Sequence, residues 1–114
     1  MPEIRDLSCD LITDLYFYTA DLYKHMSEAK LNATLINNML KEKKLHINFD
    51  YIFSEIKTFG KKVFQIAIEK GCFSREDLAE ECEKLAGRAG FSEDEGYDEK
   101  YIKSLCSYAR LLST

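Results

Sequence analysis

IRDLSCDLITDLYFYTADLYKHMSEA, residues 4–29, carries Ile4, Leu7, Leu11, Leu15, Tyr18, Leu22, Met26 and Ala29 at steps of 3-4-4, 3-4-4 and 3. An eleven-residue repeat of about 3.67 residues per turn keeps such a stripe on one side of a nearly straight α-helix. The spacing predicts a helix from Glu3 to Glu28 that lies with this stripe against something long. Ile12, Tyr16 and Tyr23 form a second stripe roughly 100° round from the first, and Phe17 falls on the far side.

Outward from this helix the rest of the chain also reads as helical. Its single Pro is at position 2, it has only five Gly, and 46% hydrophobic with 32% charged residues suits a globular chain. Asn32 can cap a second helix running to Leu45, with Leu35, Ile36, Met39 and Leu40 as its buried side. Asn48 or Asp50 can cap a third, in which Ile52, Ile56, Phe59, Val63 and Ile66 repeat at helical spacing. Phe49, Phe53, Phe64 and Ala67 widen that apolar arc, so the helix at about 50–70 is expected to be central. Gly60 within it invites a neighbour to come close, and Gly71 can turn left-handed at its end.

The clearest local syntax is Phe73-Ser74-Arg75-Glu76-Asp77-Leu78. Ser74 and Asp77 match a capping box that uses Asp for Glu, and Phe73 and Leu78 hold the two positions of a hydrophobic staple. A fourth helix therefore starts at Arg75 and is expected to stop near Gly87. Residues 87–96 read as a polar loop. Asp98 then caps a fifth helix packed through Tyr101, Ile102, Leu105, Ala109 and Leu112. The predicted architecture is an all-α, single-domain bundle of about five helices over residues 1–114.

Chemistry is sparse. The histidines are His25 and His46; Asp21, His25 and Glu28 have metal-compatible spacing, but solvated helix faces produce such triplets constantly. Glu76, Glu80 and Glu83 share a face without a second acidic helix to complete a site, and neither a nucleophile elbow nor a phosphate-cradling glycine loop occurs. No cofactor or metal is expected, and catalysis by this chain alone is not expected. Cys9, Cys72, Cys82 and Cys106 form no C-x-x-C pair and read as reduced thiols. No apolar run approaches about 18 residues, and no basic start precedes an apolar segment. The expected compartment is the cytoplasm, with no membrane partner.

Residues 71–81 look like the turn and second helix of a winged helix, but the connection onward is long and residues 75–100 carry ten acids against four bases. Direct nucleic-acid binding is therefore not expected. An interaction protein is expected instead: a small subunit, adaptor or inhibitor that meets another chain, or a second copy of itself, through a helical surface. The candidate contact residues are Ile12, Tyr16, Phe17 and Tyr23. Glu80, Glu83 and Asp94 join them if the chain is an acidic decoy for a nucleic-acid-binding protein.

Gly71, Phe73, Ser74, Asp77 and Ala79, followed by Tyr97, Tyr101, Ile102 and Leu105, stand in an order that resembles the helical segment of nitrile hydratase β-subunits and their accessory proteins. The match runs over residues 71–112; the chain has no Trp, and Leu78 stands where that family usually has one. The resemblance implies a helical accessory chain for a metal-bearing subunit, itself without metal.

Overall fold

In a computed structural model that describes residues 3–114, five α-helices follow one another: α1 (Cys9–Glu28), α2 (Lys30–Leu40), α3 (Phe49–Lys70), α4 (Arg75–Arg88) and α5 (Glu99–Leu112). Three short 3-10 turns lie between or before them, and no strand is present among the described residues. The fold is the expected all-α bundle.

Local chemistry sets most boundaries. Ser8 accepts from the Leu11 amide and starts α1, so the helix begins after a separate 3-10 turn at Ile4–Asp6 rather than at Glu3. Lys70 Nζ donates to the carbonyls of Arg5 and Leu7 and ties that turn to the end of α3. Asn48 caps α3 through the Tyr51 amide, and Gly71 closes it at φ 73°, where a β-carbon would be strained. Ser74 and Asp77 complete the capping box of α4, with Phe73 and Leu78 both buried beside it. Helix α4 runs past Gly87 to Arg88, and Asp98 caps α5 through the Tyr101 amide.

One core holds the body together. α1 packs most extensively on α3 and α5, and also meets α4 and α2; α5 meets α4 and α3. Gly60 lets α3 and α5 approach closely, since an added β-carbon would lie 2.7 Å from Leu112 Cδ1. Tyr16, Phe64 and Phe73 cluster with centroid separations of 5.6–6.1 Å, and the Tyr16 hydroxyl donates to the Ala109 carbonyl.

The face of α1 that makes this core is not the eleven-residue stripe. Leu11, Tyr18 and Leu22 of that stripe are exposed, and Leu15 is half-buried. Ile12, Thr13, Tyr16, Phe17, Thr19, Ala20, Tyr23 and Lys24 are buried instead, on a face centred about 150° round the helix. Most of the circumference of α1 is apolar, so two faces competed. The aromatic one, with more surface to remove from water, faces inward.

The cysteines also depart from expectation. Cys9 is disulfide-bonded to Cys72 and Cys82 to Cys106, and no free thiol is left. The fold brings Cα atoms 63 and 24 residues apart in sequence to 5.1 and 5.9 Å, within bridging range. The first bridge clamps the start of α1 to the turn after α3. The second joins α4 to α5 within the core, next to the non-helical backbone of Glu81.

Helix α2 starts at Lys30, directly after Ala29 and without the expected cap at Asn32, and ends at Leu40. It contains no buried residue. Its expected core side is uncovered: Leu35, Ile36 and Met39 are exposed and Leu40 only half-buried. Tyr51, Ile52 and Phe59 in the first half of α3 are exposed as well. α2, the turn after it and this half of α3 form an arm, and the radius of gyration is accordingly 16.1 Å. A compact chain of this length would have about 13 Å.

Candidate interaction surface

The arm is organised by a few polar contacts rather than by a core. After α2 the chain makes a 3-10 turn at Lys41–Lys43, and Lys44 adopts left-handed φ 58°. The side chain of Asn37 then brackets Ile47: its Nδ2 donates to the Ile47 carbonyl at 3.0 Å, and its Oδ1 accepts from the Ile47 amide at 2.9 Å. This paired contact imitates one rung of a backbone ladder and fixes the return of the chain toward α3. Between the strapped segment and α2 lies an open groove of about 350 Å3, lined by apolar residues such as Ile36, Ile47 and Phe53. Lys30 Nζ sits 4.6 Å from the Phe53 ring centroid on its wall.

Apolar exposure concentrates here. Leu31 is 69% exposed and Met39 77%, with Leu35 between them on one stripe of α2. Scattered apolar side chains are normal on a protein surface, but a helix with several and no buried residue has an uncovered face. The arm is also basic. Residues 30–59 carry five Lys against Glu42, Asp50 and Glu55, a surplus of two; the whole chain is at −4, which leaves the rest at −6.

The seven contact residues expected from sequence separate into two groups. Ile12, Tyr16 and Phe17 are 0% exposed and Tyr23 is 6% exposed, so these four belong to the core and are closed to a partner. Glu80, Glu83 and Asp94 are exposed on α4 and the turn after it. The signal that could have located the arm was present in the sequence: Leu31 and the lysines around Leu45 and Ile52 make the segment basic as well as apolar, whereas Leu35, Ile36, Met39 and Leu40 were expected to form a buried side.

Of the polar residues of α1 at Asp21, His25 and Glu28, the first two form a clasp to α5. The Tyr101 hydroxyl donates to Asp21 Oδ1, and His25 Nε2 lies 2.9 Å from the Tyr101 oxygen and 3.5 Å from Asp21. Glu28 turns away to the buried Lys24, whose Nζ is 2.8 Å from it and 4.2 Å from the Tyr101 ring centroid. Burial first, and then the hydrogen bond to Asp21, pushes the Tyr101 phenol above its ordinary value. The two carboxylates therefore serve different partners. Among the described residues no three His, Cys, Asp or Glu side chains converge on one point.

No family model, curated protein or solved structure matches this chain. The residues that carry the nitrile hydratase resemblance have local roles in this fold: Gly71, Ser74 and Asp77 cap helices, while Phe73, Ile102 and Leu105 are buried. No described helix is long and apolar enough to cross a membrane.

Proposed function

We propose that this chain is a non-catalytic interaction protein that docks through the basic apolar arm of α2 and the first half of α3. The observation that carries the reading is α2 itself, which bears Leu31, Leu35, Ile36 and Met39 yet buries none of them. A helix of eleven residues is marginal alone in water, and tertiary burial of an apolar face is its usual support. A partner laid on the arm would supply that burial, while the surrounding lysines favour an acidic rim. The two disulfides favour work in an oxidising compartment over the cytoplasm expected from sequence.

The test is site-specific photo-cross-linking. A photoreactive residue at Met39 should give discrete adducts in the native extract that vanish when Leu35→Lys is added. The same probe at Lys84, on the acidic side of the body, should give none of these adducts. Equal labelling at both positions, or adducts insensitive to Leu35→Lys, would overturn the assignment.

A further inference from the structure

This chain carries two uncovered apolar stripes of opposite electrostatic character, and each fits the other. The first is Leu31, Leu35 and Met39 on α2, at i, i+4 and i+8. The second is the outer face of α1, where Leu11, Tyr18 and Leu22 stand exposed at i, i+7 and i+11. Along one flank of the α1 stripe run Asp10 and Asp21, with Asp14 between them. Along one flank of the α2 stripe stand Lys30 and Lys41. We infer that the arm docks on α1 of a second copy of this chain, the two helices antiparallel, with Lys41 facing Asp10, while Asp21 stays with Tyr101 and His25 in the clasp and Lys30 stays over Phe53.

The inference rests on the reading of the arm as a docking surface and names its occupant. Arm against arm would bring two basic segments together, whereas arm against α1 joins a segment with a surplus of two lysines to a body at −6. Because α1 and α2 are joined at Ala29, one two-fold axis can repeat the contact twice and close the assembly, leaving no unsatisfied stripe to propagate fibres. At roughly 100 Å2 for each half-exposed side chain, the six on each copy would remove on the order of 1,200 Å2 in the dimer, the lower bound of a specific interface. A weak, salt-sensitive dimer is therefore expected rather than an obligate one.

Sedimentation equilibrium of the purified, disulfide-bonded chain tests this directly. Across about 5 to about 500 μM protein, the average mass should rise from 13.2 kDa toward twice that value. Leu35→Lys should abolish the rise. Lys41→Asp and Asp10→Lys should each weaken dimerisation by about tenfold, and combining them should restore it, an outcome that loss of structure in either variant would not give. Circular dichroism identifies any variant that fails to fold.

A wild-type chain that stays monomeric to the highest concentration, or single reversals without effect, would overturn the inference. So would a double reversal that fails to recover with both single variants folded. Monomer in solution together with Met39 adducts in the extract would assign the arm to a different protein, overturning the dimer while leaving the docking reading intact. Monomer that instead co-sediments with phosphatidylserine vesicles, with no Met39 adducts to protein, would assign it to an anionic membrane and overturn both.

Discussion

At the scale of single residues, Tyr16 shows how chemistry and packing combine. Its ring lies among Phe17, Phe64 and Phe73, and its hydroxyl is bonded to the Ala109 carbonyl, so it joins α1, α3 and α5 at one point. Burial pushes its phenol above the ordinary value of 10.0. The folded protein thus holds the proton where the unfolded chain releases it. The contribution is complete below the unfolded value and is lost as pH rises through it toward the folded value. Above about pH 10 stability should therefore fall, by about 1.4 kcal/mol per pH unit for this phenol. The raised phenol of Tyr101 acts in the same direction. Urea denaturation at about pH 9 and about pH 11 should show a shallower loss in Tyr16→Phe than in the wild type. Gly60 offers a second residue-scale test, because a larger side chain there must displace the buried Leu112 side chain. Gly60→Val should lower unfolding free energy by about 2 kcal/mol, read from the urea midpoint at unchanged slope.

At the scale of elements, the caps of α3, α4 and α5 and the packed side of α5 were legible, whereas the Asn32 cap and the faces of α1 and α2 were not. Asn48, Ser74 with Asp77, Asp98 and Gly71 act where the sequence places them, because a cap is decided by a few neighbouring atoms. The buried face of α1 depends on what arrives from 30 to 93 residues away. Periodicity identified both its stripes but could not rank them, and the second stripe of Ile12, Tyr16 and Tyr23 went to the core together with Phe17 from the far side. The same limitation affects α2: its pattern is genuinely amphipathic, but no element among the described residues buries any of its side chains. Cysteine spacing is silent on long-range pairing, since four cysteines allow three connectivities and the free state besides. In the chain-entropy picture the Cys9–Cys72 bridge stabilises by about 4 kcal/mol and Cys82–Cys106 by about 3 kcal/mol. Thiol titration of the folded, unreduced protein should find no reactive cysteine. Under mild reductant the half-exposed Cys9 and Cys72 should appear before the sealed pair of Cys82 and Cys106.

At the scale of the whole molecule, the chain divides into an acidic body with a closed core and a basic arm that lacks one. The body is held by aromatic packing, the α1–α5 clasp around Tyr101 and two cross-links. The arm is held by Asn37, the Asn48 cap, the packing of Phe53 on Tyr23 and Ile56 on the core, and its continuity with α1 and α3. This division moves the candidate surface from Ile12, Tyr16, Phe17 and Tyr23 to Leu31, Leu35 and Met39, and it separates binding from stability. Substitutions in the arm should alter association with little effect on folding, whereas substitutions in the former set should unfold the protein. Thermal denaturation in dilute solution, where association does not contribute, compares the two directly. Leu35→Lys with Met39→Lys should leave Tm within about 2 °C of wild type, and Phe17→Ala should lower it by more than about 10 °C. A fall in Tm for the arm variant as large as that for Phe17→Ala would show that α2 belongs to the core and contradict the separation of arm from body.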